Sequence, residues 1–165
     1  MLGPALHILT EPDHLVACFA IGLLAGQRAA RRELLSLLAA FIGAFLISFC
    51  SAVLVGGAAF ESFDAFAAAA TLIAVGLLVA IPRISLPPLA MAVVVATGAV
   101  HGFANGLAAS TLLAAAGALP AAATIALLGA GLAALLRAPW GLIAVRVLGS
   151  WAAALGLILL GIALR

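Results

Sequence analysis

The chain has 165 residues, 68% of them apolar and 7% charged, with a mean hydropathy of +1.43. A soluble domain carries about 25% charged residues, so this composition excludes a soluble domain and points to an integral membrane protein in contact with the lipid bilayer. The net charge of +2 comes from arginines with no lysine, and it lacks the clustered basic face that binding to nucleic acid requires.

A helix needs about 20 apolar residues to cross a bilayer. The apolar runs predict six, near residues 5–27, 33–56, 63–82, 87–106, 111–136 and 140–164. Breaks fall at 27–33 (basic), 56–64 (Gly-Gly, then acidic), 82–88, 105–110 and 137–139. No soluble domain and no long linker interrupts them. The expected fold is an all-α polytopic bundle, one transmembrane helical domain over residues 1–165. The N-terminus lacks a basic n-region and an A-x-A-like cleavage site, so no separate targeting sequence is expected. The long run 107–136 contains Pro120 and could be divided into two spans, but six spans order the arginines better.

Arg28, Arg31 and Arg32 follow the first span, Arg83 the third and Arg137 the fifth. With six spans all lie on one side, as the positive-inside rule requires of the cytoplasm. Arg146 lies near the same face, where its stem can snorkel. Glu11, Asp13, Glu61 and Asp64 lie on the opposite side, and only Arg165 runs against the pattern. Both termini are therefore expected outside, in the bacterial inner (cytoplasmic) membrane.

Segments 1 and 4 stand apart. The uninterrupted apolar part of segment 1 is residues 15–26. That is about 18 Å of helix, short of a hydrocarbon core about 30 Å thick. The remainder must come from residues 2–14, which hold Pro4, Pro12 and the polar run His7-Ile8-Leu9-Thr10-Glu11-Pro12-Asp13-His14. Segment 4 is apolar from Leu89 to Val100 and then meets His101-Gly102-Phe103-Ala104-Asn105-Gly106. Both read as short helices interrupted at their outer ends. Such backbone is tolerated at membrane depth only where it lines a cavity or is buried in protein, and paired interrupted segments point to a transporter's binding site. The separation of His14 and His101 is close to half the chain, which fits a three-plus-three inverted repeat. No residue-level repeat is visible.

The six-span topology brings His7, Asp13, His14 and His101 to the same face. His14 and Cys18 have the i,i+4 spacing of one helix face, as do His101 and Asn105. Imidazole and carboxylate together make a donor set for a borderline divalent ion such as nickel, cobalt or zinc. Each group also has a plainer reading. His7 fits an incidental interfacial histidine. Asp13 fits a helix N-cap after Pro12, or a carboxylate that orients a histidine ring. His14 and His101 fit a structural hydrogen bond between helices, since ionisable groups in membrane spans need partners. Asn105 beside Gly106 fits a helix C-cap. Cys18, Cys50 and Met91 read as packing residues, and Trp140 and Trp151 as one interfacial anchor and one bundle residue. No hydrolytic triad, phosphate-binding glycine loop or facing pair of mid-membrane histidines appears, so no enzyme activity is expected.

At His7-x-x-Thr10-x-x-Asp13-His14-Leu15, followed by Ala20-Ile21-Gly22, the chain resembles the HupE/UreJ family. These are small membrane proteins associated with hydrogenase and urease operons and regarded as nickel or cobalt permeases. The family's first helix carries a His-Pro-x-x-Gly-x-Asp-His pattern and its fourth a His-Gly-x-Ala-His-Gly pattern, the latter matching the run from His101 to Gly106. The stretch Arg146-Val147-Leu148-Gly149-Ser150 also resembles the family's last span. Ile8 stands where the family has proline, Glu11-Pro12 displaces a glycine, and Cys18 replaces a methionine. Asn105 replaces the second histidine of the fourth helix, Leu107 replaces an acidic residue, and the fifth-helix histidine has no counterpart near Thr124.

The resemblance implies His7, Asp13, His14 and His101 as metal ligands, with Asn105 as a neutral substitute for an imidazole. It implies an outward-facing site between helices 1 and 4, nickel or cobalt as the favoured ion and zinc as a further candidate. Without ATP-binding machinery in the chain, uptake would be passive, gradient-coupled or partner-driven. The eroded motif and short loops also support a different class: a non-transporting structural subunit that docks a membrane partner or forms a homo-oligomer. A redox subunit with His14 or His101 as an axial ligand is a third reading.

Overall fold

The computed structural model describes residues 11–28, 30–55, 61–84, 86–109 and 111–165, and all regular structure among them is helical. In chain order the helices are α1 (Pro12–Gly26), α2 (Arg31–Val55), α3 (Glu61–Ala80), α4 (Pro87–Ala108), α5 (Ala115–Leu135) and α6 (Pro139–Ala163). Short 3-10 turns at Pro82–Ile84 and Leu112–Ala114 precede α4 and α5. Three of the helices (α1, α4 and α6) open on a proline, whose missing N–H and fixed φ suit the first helical position. α2, α4, α5 (with its preceding turn) and α6 are each long and apolar enough to cross a membrane, whereas α1 and α3 are apolar but shorter.

The helices associate in three extensive pairs, and glycine sits at the centre of each. Gly22 of α1 lies on Ala126 of α5, and Gly26 on Ala130 and Ala133, so these two helices run parallel. Gly98, Gly102 and Gly106 of α4 lie on Phe41, Phe45 and Phe49 of α2, again in parallel. Gly76 of α3 lies on Gly149 and Ala153 of α6, and Gly156 on Ala69 and Ile73, which makes that pair antiparallel. At these positions a Cβ would run into the neighbouring helix. Small residues allow this approach, and in lipid, where water drives nothing together, close packing is what holds helices to one another.

The end of α3 is tied to two other helices. Gln27 Nε2 donates to the Val79 carbonyl at 3.0 Å, and Arg146 Nε donates to the Ala80 carbonyl at 3.0 Å. These are carbonyls of the last turn, which have no partner within their own helix. Arg146 thus caps a neighbouring helix, a different role from the snorkelling expected of it. Arg28 and Arg32 share a cavity of about 210 Å³ with Pro87, Ala90 and Met91 at the start of α4. The link from α1 to α2, the end of α3 and the start of α4 therefore meet at one end of the bundle, and successive helices reverse direction. This gathers all the arginines except Arg165 at that end.

Two further expectations are corrected. Segment 4 is not interrupted: α4 continues without a break from Pro87 through His101, Gly102 and Gly106 to Ala108. Its glycines weaken the isolated helix by about 1 kcal/mol each relative to alanine, but here they are the face that α2 covers. Trp140 and Trp151 are 67% and 70% exposed, so neither is a bundle residue. Pro120 lies inside α5 and does not divide it. Of the interrupted stretch expected over residues 2–14, the part from Pro12 to His14 is regular helix, and residues 2–10 lie outside the described residues.

Gly102→Ala places a methyl group against the Phe45 backbone and is expected to cost about 1–3 kcal/mol. Gly43→Ala, at a helical glycine with nothing within 4 Å, should gain up to about 1 kcal/mol from helix propensity. Thermal unfolding in detergent of the two variants side by side checks the contrast. Arg146→Leu, which strips the Ala80 carbonyl of a charged donor, is expected to lower the same transition by about 1–3 kcal/mol.

Candidate metal centre

α1 opens with Glu11 at the N-cap in extended conformation (φ −88°, ψ 111°), without a side-chain cap, and with Pro12 as the first helical residue. Asp13 therefore lies in the first turn and is not the N-cap. A carboxylate there still gains from the helix dipole. His14 is 5% exposed, and Cys18, one turn further on, is buried beside it on the same helix face. His101, four turns into α4, is fully buried. At 1.5 Å per residue it stands about 21 Å from the arginine-rich end.

The two histidines meet directly. His14 Nδ1 and His101 Nδ1 are 2.7 Å apart, and the rings stand edge to face at 81°, with centroids 4.9 Å apart. Asp13 Oδ2 lies 3.9 Å from His14 Nδ1. One ligand atom from each of Asp13, His14 and His101 falls within 4.8 Å of the others. On the far side of His101, Thr71 Oγ1 of α3 donates to the Ala68 carbonyl at 3.0 Å and lies 3.5 Å from His101 Nε2. With the hydroxyl proton engaged by Ala68, the pattern is satisfied when His101 carries its proton on Nε2, facing Oγ1. His101 Nδ1 is then the acceptor and His14 Nδ1–H the donor.

This geometry has a chemical consequence. A borderline divalent ion binds imidazole nitrogen at about 2.0–2.1 Å. Two nitrogens on one ion are then about 2.9 Å apart at a right angle and about 3.3 Å apart at the tetrahedral angle, by the same bond length. The observed 2.7 Å is a hydrogen-bonding separation with the two Nδ1 atoms directed at each other. To admit an ion the rings would have to rotate until both nitrogens face one point, as well as part by a few tenths of an ångström. The ion would take the place of the proton between them, and metal binding of this kind releases protons. Two imidazoles and a carboxylate suit nickel, cobalt or zinc.

Asn105 lies one turn beyond His101, inside α4 and short of its end at Ala108, so it is not the C-cap. Its Nδ2 donates to the His101 carbonyl at 2.8 Å, while its buried Oδ1 has no hydrogen-bond partner among the described residues. Buried acceptors are nearly always satisfied, and this one is placed to receive a donor or to bind a cation. Thr97, one turn before His101, is buried but donates to the Val93 carbonyl at 2.7 Å and takes no part in the cluster. His7 lies outside the described residues. Cys18 and Cys50 are free thiols. Sequence reasoning missed Thr71; the one signal for it was a hydroxyl midway along an alanine-rich helix.

A comparison with curated proteins and one with solved structures each give no match. A comparison with protein-family models gives a match to the HupE / UreJ protein model over residues 2–159, nearly the whole chain. A membrane protein with apolar helices, an Asp-His pair opening its first helix and a His-Gly pair in its fourth, this chain belongs to the HupE/UreJ family.

Proposed function

We propose that this protein is a transition-metal permease that takes nickel or cobalt, with zinc as a weaker candidate, through an ion site between α1 and α4. The observation that carries the reading is the convergence of Asp13, His14 and His101, with ligand atoms within 4.8 Å of one another in the bundle interior. The family's link to nickel and cobalt handling supports it. In this reading all six helices span a bacterial inner membrane. The reversal of direction at each helix and the arginines at one end support that arrangement, with the arginines in the cytoplasm. Both termini and the Asp13–His14 end then face outside. Asn105 Oδ1 adds a neutral oxygen, and His7 is a further ligand contributed from the N-terminal segment. Polar groups placed inside a membrane bundle mark ion pathways, and no step here calls for catalysis.

One observation favours a second reading. The 2.7 Å bond between His14 and His101 satisfies both imidazoles without an ion, as it would in a structural subunit that docks a membrane partner. Nickel titration of the detergent-purified protein separates the two. The permease reading expects saturable binding that His14→Ala/His101→Ala abolishes, with the fold retained, and loss of nickel uptake into vesicles. Absence of binding by intact wild type overturns it in favour of the structural subunit. Asn105→Asp, which adds a charge beside the buried oxygen position, should tighten nickel binding about tenfold, the scale on which outer groups act at metal sites. Unchanged affinity in calorimetry would place Asn105 outside the ion's reach.

A further inference from the structure

The contacts of α1–α3 recur in α4–α6. The step from Gly22 to Gly102, from Gly26 to Gly106 and from Gly76 to Gly156 is 80 residues in each case, and from Phe45, Phe49 and Ala52 to Ala126, Ala130 and Ala133 it is 81. Under this shift, Gly22 on Ala126 becomes Gly102 on Phe45. Gly26 on Ala130 and Ala133 becomes Gly106 on Phe49 and Ala52. Gly76 on Gly149 and Ala153 becomes Gly156 on Ala69 and Ile73. Burial follows the same rule: Phe41, Phe45, Phe49 and Ala52 are buried, and so are Ala122, Ala126, Ala130 and Ala133. α1 and α4 run in opposite directions, so the halves are inverted about a two-fold axis that crosses the bundle.

The two-fold exchanges the α1–α5 pair with the α2–α4 pair. His14 comes from the first pair and His101 from the second, while α1 and α4 otherwise touch little. The ion ligands therefore sit on the seam between two tightly packed units. The polar groups do not repeat: the counterparts of Asp13, His14 and His101 are Val93, Val94 and Ile21. Val94 and Ile21 are fully buried. At the arginine-rich end a cavity opens within the second pair, between the starts of α2 (Arg32, Ser36, Leu37) and α4 (Pro87, Met91), with Arg28 beside it. Val94 and Thr97, both buried, separate it from His101 along α4.

We infer that the protein is an alternating carrier made of two inverted repeats, α1–α3 and α4–α6. The seam at His14 and His101 serves one membrane face and the cavity between the starts of α2 and α4 the other, and the halves exchange conformations to switch between them. Inverted repeats that rock about a site at their interface are a general route to alternating access, and an ion moves such an equilibrium by its differential affinity for the two states. The inference rests on the ion-site reading for its cargo but not for its architecture.

Thiol labelling in oriented vesicles tests it, in a Cys50→Ser background with buried Cys18 retained. Ala30→Cys and Thr111→Cys occupy corresponding exposed links; an impermeant maleimide should reach them from opposite faces. Labelling from the same face overturns the inverted repeat. In metal-free protein, Met91→Trp should hold the cavity end open and cause a severalfold loss of labelling at exposed Glu11→Cys. Added nickel should change the labelling of Glu11→Cys and Met91→Cys in opposite directions. Undiminished Glu11→Cys labelling with Met91→Trp, or changes of the same sign with nickel, overturns alternation. If nickel does not bind, the ion-site reading falls, and the metal-free arm still decides the carrier.

Discussion

Close approach of helix backbones at glycine is the constraint from which the rest of the molecule follows. In lipid there is no water to expel between helices, so association depends on dispersion contacts that only small residues bring within range. Gly98, Gly102 and Gly106 set α4 in register on α2, and Gly22 and Gly26 set α1 in register on α5. Those two registers decide where His101 and His14 come to rest. A slip of one turn in either pair would displace an imidazole by about 5.4 Å, more than the whole spread of the ligand atoms. The packing glycines, which bear no chemistry, thus hold the site together.

The imidazole pair in turn joins what the glycines hold apart. Burying polar groups among apolar helices costs free energy unless each finds a partner. Here the partners run in a chain from Asp13 through His14 and His101 to Thr71 and the Ala68 carbonyl. Three helices contribute: Asp13 and His14 are neighbours on α1, the next links cross to α4 and α3, and the last returns to the α3 backbone. Beside this chain, Asn105 Oδ1 is buried with no hydrogen-bond partner among the described residues.

Much of this could be read from the sequence, and the gaps have physical causes. Apolar run lengths and Pro/Gly breaks located α2 to α6 to within a few residues, because lipid demands near-continuous apolar stretches; the first segment was expected from residue 5 and its described helix begins at Pro12. Counting spans brought His14 and His101 to the same face, though not into contact. The glycines of α4 misled because Gly102 and Gly106 look like a helix end unless the covering helix is known. Asp13 resembled an N-cap, since sequence cannot say whether the helix begins before or after Pro12. The internal repeat was hidden because the contact survives while the side chains change: phenylalanine in α2 stands where α5 has alanine, and the glycine opposite accepts either backbone. A lone hydroxyl in an alanine-rich helix marked Thr71 only faintly, and its place beside His101 shows in the distance.

The departures from the family pattern bear on what kind of site this is. A divalent ion held by two neutral imidazoles and one carboxylate keeps a net positive charge, and Asn105 offers a dipole where the family has an imidazole. Leu107 offers nothing where the family has an acid. Such a site binds less firmly than one with a full set of charged ligands. For a storage or structural metal that would be a defect, since retention is the purpose. For passage it is a requirement, because an ion must be bound well enough to shed its water and weakly enough to leave. In the proposed carrier, a sparse donor set on the seam between the two packed units would meet both conditions.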